Sequence, residues 1–422
     1  VAENPEMAGA GVNGIYSMFS IYQNANIGYT RHNDFGYPAV MLFLDSRGTD
    51  FVAEDTGYNW FSYGLNMLED RAADSLIDDN IWNTLYNQIF ATNAVASSID
   101  PATEDSDMQF YLAQALATRA FDYFNLVQIY AFNYKGHESS LSIPIITDVN
   151  AGQVAEEGAP KATVQAVYDQ ILSDINNAIE LLGKSSVKRP DKRYIDLSVA
   201  LGLRARINLT MQNWSAAQAD AEAAIAASSS KPLSLEGASV PGFKKMTEDN
   251  WMWGVYVAET DRVVTSGIVN WQSHMGSFNY GYAQVGSWKM IGKALFNQIS
   301  KSDVRRGWFL DADGKSENLN DAQNAYVKKY KLPPFTQVKF APYNDELDTS
   351  TNANDIILMR IEEMYFIAAE AKAMNGDAPG AAADLQSFIS TYRDPEYTCT
   401  AKTPSGVQDA VWLQRRIELW GE

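Results

Sequence analysis

The sequence predicts a mostly α-helical protein, in which paired helices form a scaffold that carries large, loop-rich insertions. Three observations support this class: apolar residues recur at helical spacing, a helix–turn–helix pattern returns several times, and two long tracts lack that periodicity. The helical spacing is clearest over 357–376, where Ile361, Met364, Tyr365 and Ala368 share one face. We therefore expect a helix over 357–376.

A second helix follows this one after a short turn. Gly376 is placed to end the first helix, and Asp377 is placed to cap the next. The second helix has its own apolar face, formed by Ala381, Leu385, Phe388 and Ile389. The two helices are predicted to form an antiparallel hairpin.

The same hairpin recurs upstream. Counting from Tyr168, Trp214 or Ala378, an apolar or small residue follows after three positions, and an apolar pair follows after ten and eleven. This spacing is typical of the second helices of tetratricopeptide repeats, which bury their apolar faces only by stacking on their neighbours. Matching first helices precede Trp214 and Ala378, and a third, over 108–132, is separated from its partner by an insertion. An ordinary helical protein with chance periodicity is the alternative.

The other elements follow from local patterns. Within 79–99 the apolar face includes Trp82, Tyr86 and Phe90, and the rings of Trp82 and Tyr86 are predicted to be buried. In chain order, the remaining assignments are a helix over 11–29, a loop around Pro38, a loop over 53–75, a strand over 251–259, a helix over 289–299 and an extended segment over 332–335.

The predicted organisation is a single domain over 1–422. Its helical scaffold covers about 79–228 and 355–422, and its insertions cover about 30–78 and 231–354. The second insertion contains a Gly- and Ser-rich tract over 259–287 with five aromatic or histidine side chains: Trp271, His274, Phe278, Tyr280 and Tyr282. A long loop without secondary structure is usually functional or disordered, and disorder disfavours aromatic residues. We interpret this tract as a binding loop, with a merely packed excursion as the alternative.

Composition excludes several classes of protein. The net charge of −19 argues against nucleic acid as a partner, because phosphates require a positive surface. Cys399 is the single cysteine, so no disulfide framework is expected, and no run approaches the roughly 20 apolar residues of a membrane span. Because the chain begins at Val1 and stops at Glu422, we interpret it as a trimmed piece of a processed precursor.

The sequence offers no catalytic constellation. The three histidines are far apart without metal-ligand spacing, and no nucleophile elbow or phosphate-binding loop occurs. The acidic segment 311–318 faintly resembles a calcium loop but lacks its third acid, so a plain turn is favoured. We predict no catalytic residue, no metal and no cofactor. The alternatives are a glycoside hydrolase on an α/α toroid, which needs about six even hairpins, and a tetratricopeptide scaffold that binds a peptide or only protein.

Six segments resemble motifs of the SusD/RagB family, in the order in which that family carries them. Residues 359–377 are similar to its R-x-x-E-x-Y-L-x-x-A-E-A helix, 303–309 to its Asp-x-Arg segment, and 415–422 to its terminal R-R-x-E-L-x-x-E-G motif, cut before the glycine. The other three segments are 81–95, 114–131 and 167–182. The lipid-bearing cysteine of the family's mature N-terminus is missing from this chain.

The resemblance implies a single-domain, mostly helical fold on tetratricopeptide-like hairpins. It further implies a non-catalytic nutrient receptor, usually for glycans, at the cell surface on the outer membrane. The expected partner is a SusC-like TonB-dependent transporter, and membrane attachment would use an N-terminal lipid anchor that this chain lacks.

The insertions supply residues suited to sugar binding. Pyranose rings present apolar C–H faces bordered by hydroxyls, which Trp and Tyr rings together with polar side chains complement. The predicted glycan-binding residues are Tyr58, Asn59, Trp60, Trp271, Phe278, Tyr280 and Tyr282. Because Trp60, Trp271 and Tyr280 lie outside any helical apolar stripe, we expect these three outside the core, as one platform. Packing is the alternative for each.

Overall fold

The computed structural model describes residues 4–22, 32–53, 60–62, 72 and 75–422. Helices dominate these residues, which confirms the predicted mostly α class. The longer helices are α1 (Pro5–Ser17), α2 (Tyr37–Ser46), α3 (Leu76–Ser97), α4 (Ser106–Tyr130), α5 (Ala151–Glu157), α6 (Val164–Lys184), α7 (Leu197–Thr210), α8 (Trp214–Ala227), α13 (Asp321–Tyr330), α14 (Ile361–Met374), α15 (Ala378–Tyr392) and α16 (Pro404–Glu418). The helices of four or five residues are α9 (Leu235–Ala238), α10 (Arg262–Thr265), α11 (Trp271–Met275) and α12 (Lys293–Phe296).

The strands are short and form antiparallel pairs. β1 (Phe51–Ala53) pairs with β5 (Lys289–Ile291), and β2 (Leu141–Pro144) pairs with β3 (Lys161–Thr163). β4 (Trp251–Val255) pairs with β6 (Ile356–Arg360), so that Trp251 lies opposite Arg360. In the described part of the chain, each sheet consists of two strands only.

The chain divides into two compact units. The first takes in Val1–Phe19 and Trp82–Ser229, and the second takes in Ser20–Ile81 and Ser230–Glu422. The two predicted scaffold segments therefore belong to different units. The assignment of the whole chain to a single domain stays a prediction.

The first unit contains the predicted upstream hairpins. α4 packs along α6, and α7 packs along α8, as the sequence pattern predicts. The side chain of Arg119 on α4 joins three segments: it donates to both oxygens of Asp174 on α6 (2.8 and 2.7 Å), to Asp148 (2.6 Å) and to Asn93 on α3 (2.8 Å). Because the guanidinium is buried, these charge-assisted bonds fix the relative placement of the helices.

Asp122 on α4 lacks such compensation. It is fully buried, and neither carboxylate oxygen has a hydrogen-bond partner among the described residues. Burial raises the pKa of Asp122 well above its usual value. An acid whose pKa is raised by folding binds more protons in the folded state. Its contribution to stability is therefore full below the unfolded pKa of about 3.9 and is lost as pH rises toward the folded pKa.

We expect Asp122→Asn to raise the free energy of unfolding at pH 7 by about 1–3 kcal/mol, because the amide is not charged when it is buried. The gain should shrink toward pH 4, near the pKa of about 3.9 in the unfolded chain, because folding then requires less uptake of a proton by the wild-type carboxyl. Urea unfolding at both pH values measures this difference. Asp169→Asn, an exposed change on α6, is the matched control. An equal effect of Asp122→Asn at both pH values would contradict the assignment.

The second unit contains the C-terminal hairpin. Gly376 adopts φ +108° in the turn, and Asp377 caps α15 by accepting from the Gly380 N–H (2.9 Å). The hairpin is confirmed, but the predicted start of its first helix is wrong. Residues Ile356–Arg360 form strand β6, and α14 begins at Ile361. All five residues of β6 are buried, and a short continuous apolar run does not distinguish a buried strand from a helix.

Two further boundaries near the N-terminus differ from prediction. α1 begins at Pro5 with Asn4 as its cap and ends at Ser17, whereas 11–29 was predicted; residues 23–29 lie outside the described ones. Pro38 lies in the first turn of α2 and not in a loop. Proline is accepted there because a helix's first N–H groups have no partner within the helix. Most of the predicted loop over 53–75 also lies outside the described residues.

The remaining corrections concern burial and short elements. Of the predicted buried face of α3, Trp82 and Tyr86 are only partly buried, and Phe90 is exposed. The predicted helix over 289–299 is instead strand β5 followed by the single turn of α12. The strand predicted over 251–259 is confirmed as β4, shortened to 251–255.

A buried ionic network holds the second unit together. It contains four cations and four acids, all almost completely shielded from solvent: Arg305, Lys339, Arg360, Arg393, Asp303, Glu362, Glu418 and Glu422. Glu418 accepts from Arg393 (2.7 and 2.8 Å), Arg360 (3.1 Å) and Arg305 (3.2 Å). Burial opposes its ionisation, but the three arginines hold the pKa of Glu418 well below its usual range. The formal charges in the network balance, which is the condition for burying them.

None of the helices in the described segments is both long and apolar enough to cross a membrane.

Candidate ligand-binding site

The predicted binding loop of the second unit is held rigidly. Asn270 caps the start of α11, since its side chain accepts from the Ser273 N–H (2.8 Å), and the loop over 276–286 folds back onto this helix. Ser273 then binds the loop, since its hydroxyl accepts from the Tyr282 N–H and its carbonyl accepts from the Ala283 N–H (both 3.0 Å). A Cβ on Gly281 would lie 2.6 Å from Ser273 Cα and 2.7 Å from its carbonyl oxygen, so only glycine permits this approach.

Buried amides fix the loop from its other side. The Asn279 amide nitrogen donates to Asn352 Oδ1 (2.9 Å), and its oxygen accepts from Gln272 (3.0 Å). Asn352 in turn donates to the carbonyl of Tyr280 (3.0 Å). The Tyr280 N–H donates to the carbonyl of Thr349 (2.8 Å). The backbone of Tyr280 is thus bound on both sides and its position is preorganised.

Three of the predicted glycan-binding residues are in the core. Trp271, Phe278 and Tyr282 are 4%, 0% and 2% exposed. Trp271 packs edge-on against Phe340 (centroids 5.0 Å apart), and Phe278 packs edge-on against Tyr326 (5.7 Å). The prediction that these three rings are available to a ligand is wrong, because the loop folds back onto α11 and buries them. In this conformation they have no free face on which a sugar could stack.

Two predicted residues do reach the surface. Tyr280 is 44% exposed, and Trp60 is partly exposed. Tyr58 and Asn59 lie outside the described residues. Trp60 and Tyr280 therefore remain the predicted members of a shared platform.

A ladder of rings connects Trp60 to the binding loop. Trp60 stacks on His32 (5.5 Å), and His32 meets the edge of Tyr282 (5.6 Å) and forms a hydrogen bond with its hydroxyl. Tyr282 stacks on His274 (4.5 Å), which stacks on Phe35 (5.5 Å). Burial lowers the pKa of His274 well below its usual value, so this ring is neutral at physiological pH and stacks without charge.

Hydrogen-bonding groups surround the binding loop next to Tyr280. The carboxylate of Asp348 accepts from the Tyr330 hydroxyl (2.6 Å), from Gln284 (2.5 Å) and from Lys329 (3.3 Å). The hydrogen bond from Tyr330 lowers the pKa of Asp348 below its ordinary value. Asp348 has φ +68°, and its N–H donates to the carbonyl of Phe278 (2.8 Å). We call the group Tyr280, Gln284, Lys329, Tyr330 and Asp348 the Tyr280 surface.

This arrangement suits a polyhydroxylated ligand. An exposed ring provides a stacking face, while a carboxylate, an amide, a phenol and an ammonium group provide both donors and acceptors. Among the described residues, no three His, Cys, Asp or Glu side chains are placed to hold a metal ion.

Sequence reasoning missed His32, Gln284, Tyr330 and Asp348. Tyr330 lies in α13, a helix outside the predicted elements, and Asp348 lies in an irregular segment. No local pattern distinguishes these residues from other surface polar residues. Their association with the binding loop arises from contacts between segments distant in sequence.

Two family profiles match the sequence, and together they cover more than half of it. One, described as starch-binding associating with the outer membrane, matches residues 44–209, and that of the SusD family matches residues 287–422. No curated protein matches the chain.

Solved structures share the fold over nearly the whole chain. A SusD-like carbohydrate-binding protein from Bacteroides vulgatus has a TM-score of 0.79 at 23% identity, with 99% of this chain and 81% of that one covered. A SusD superfamily protein from Bacteroides thetaiotaomicron has a TM-score of 0.74 at 21% identity, with 99% and 87% covered. A laminarin-binding SusD-like protein has a TM-score of 0.69 at 17% identity, with 100% and 89% covered. With the two profile matches and the fold in agreement, the chain belongs to the SusD/RagB family.

Proposed function

We propose that this protein binds glycans at the cell surface and delivers them to a SusC-like TonB-dependent transporter, without chemical conversion. The observation that carries the binding proposal is the Tyr280 surface, where the exposed Tyr280, with its backbone fixed by hydrogen bonds, shares the binding loop with Gln284, which donates to Asp348. Trp60 is the second proposed contact. The carbohydrate-binding and laminarin-binding members among similar structures support this ligand class.

Attachment and transport form the second part of the proposal. The family description associates such proteins with the outer membrane. A lipid anchor on the N-terminal side of this chain would place the protein there, facing outward. Co-purification of the lipidated full-length protein with the transporter tests this part, and its absence under conditions that preserve membrane complexes would contradict it.

Binding should depend on the two exposed rings. We expect Tyr280→Ala and Trp60→Ala each to weaken glycan binding by about 1–3 kcal/mol, which is about 5- to 150-fold, because each removes a stacking face. Affinity gels containing laminarin, starch or other polysaccharides identify the ligand, and calorimetry then measures the affinities. Trp412→Ala, which removes an aromatic ring that is 47% exposed on α16, is the matched control.

The result separates the candidate functions. Wild-type affinity in both Tyr280→Ala and Trp60→Ala would place the glycan site elsewhere on the chain. Retention of no polysaccharide would favour a peptide-binding or protein-only scaffold. Release of reducing sugar that survives repurification would favour the glycoside hydrolase.

A further inference from the structure

The second unit exposes another aromatic group, on a different set of loops. Tyr256, directly after β4, is 44% exposed. Tyr343 is partly exposed, and its hydroxyl donates to Glu259 (2.6 Å). This hydrogen bond raises the pKa of Tyr343, and the nearby Tyr256 also raises it. The ammonium of Lys245 lies over the Tyr343 ring, 5.6 Å from its centroid, and donates to Asn344 (2.9 Å). We call the group Lys245, Tyr256, Glu259, Tyr343 and Asn344 the Tyr256 surface.

The two surfaces have the same chemistry. In each, a tyrosine hydroxyl donates to a carboxylate at 2.6 Å, a lysine ammonium lies over a tyrosine ring, and another tyrosine is 44% exposed. Pairing with the phenol keeps each carboxylate oriented while it retains further lone pairs for hydroxyl donors. Both groups therefore suit a sugar unit for the same physical reasons.

One short segment connects the two surfaces. Tyr343 belongs to one and Asp348 to the other, and five residues of chain span at most about 18 Å. Within the segment, Asn344, Asp345 and Asp348 have φ of +53°, +62° and +68°. Side-chain contacts hold this turn in its left-handed conformation, since Lys244 pairs with Asp345 and Lys245 bonds to Asn344. The connecting segment consequently fixes the distance between the two surfaces and keeps it short.

We infer that the Tyr256 surface is a second contact for the same glycan chain, so that a long ligand touches both surfaces and a short one only the Tyr280 surface. The inference rests on the proposed glycan binding. It adds that the preferred ligand is a polymer or a long oligosaccharide, because a tethered second contact raises affinity by its effective concentration.

Chain length provides the test. Calorimetry compares the double variant Tyr256→Ala, Tyr343→Ala with the wild type, using laminarin and starch together with their oligosaccharides from disaccharide to octasaccharide. We expect at least a fivefold loss of affinity for the polymer and the longest oligosaccharides, and unchanged affinity for the shortest ones that bind. Trp412→Ala should change neither affinity, and melting curves identify any variant that has lost its fold. Each single variant should show the same dependence on chain length, so the test can still be made if the double variant misfolds.

The outcomes distinguish this inference from the proposed function. If the folded double variant binds long and short chains like the wild type, the second contact is refuted while glycan binding stands. An equal loss for all lengths would also refute it, because Tyr256 or Tyr343 would then belong to the primary site. If the wild type binds neither these probes nor any other polysaccharide, the proposed function falls, and this inference falls with it.

Discussion

Replacing Glu418 with Gln should reduce the free energy of unfolding by about 3–5 kcal/mol, the largest stability change we expect from a single conservative substitution in this protein. The side chain keeps its size, but three buried arginines lose the acid that they share. An uncompensated charge then remains in a site without solvent. Urea unfolding measures the loss as a lower midpoint.

The matched control is Asp50→Asn. It makes the same acid-to-amide change in a bidentate pair with Arg416 (both contacts 2.7 Å), but the side chains of that pair are partly exposed. Exposed pairs contribute about 0–1 kcal/mol, so little change is expected. If Glu418→Gln cost no more than Asp50→Asn, the network would not be a determinant of stability.

Gly281→Ala should have the largest effect on ligand binding of any substitution that touches no ligand. The added methyl would lie 2.6 Å from Ser273 Cα and 2.7 Å from its carbonyl oxygen, and neither backbone atom can rotate away. The loop must therefore move off α11 and take Tyr280 with it. We expect a destabilisation of about 1–3 kcal/mol, together with a loss of glycan affinity as large as that of Tyr280→Ala.

Gly242→Ala provides the comparison for this substitution. A Cβ at Gly242 meets no atom within 4 Å, so this variant should keep both its stability and its affinity. Calorimetry on variants that melt in a single transition measures their glycan affinities and tests this prediction. Unchanged glycan affinity in Gly281→Ala would show that binding does not require the loop position described here.

The predictable part of the fold is the part with helical periodicity. The hairpins over 197–227 and 361–392 were readable because their second helices, α8 and α15, each bury one face at regular spacing. Strand β6 was not, since Ile356–Met359 is an unbroken apolar run and its true partner, Trp251–Val255, lies about a hundred residues upstream. A pairing at that separation leaves no local signal.

The family motifs were recognisable in sequence, but their physical role was not. Asp303, Arg305, Arg360, Glu418 and Glu422 come from three motif segments and meet in the buried ionic network. In sequence they resemble solvated charges. Their burial depends on partners far along the chain, which the residue type alone does not indicate.

The candidate site was predictable as a region and not as a set of residues. Glycine and aromatic content identified the tract over 259–287, and Tyr280 in it is exposed as expected. Which rings point outward depends on how Gly281 and Asn279 fold the loop onto α11. For that reason Trp271, Phe278 and Tyr282 were predicted to bind glycan although the structure buries them.

The buried ionic network also constrains the order in which the second unit can fold. Its charges come from residues 303 to 422, and two of its acids, Glu418 and Glu422, follow all of its cations in the chain. Before Glu418 and Glu422 are synthesised, the arginines lack enough partners of opposite charge, and removing them from water costs too much free energy. A nascent or translocating chain therefore cannot close this unit early from its N-terminal side. The charges of this network can therefore be buried together only after α16 and Glu422 have been synthesised.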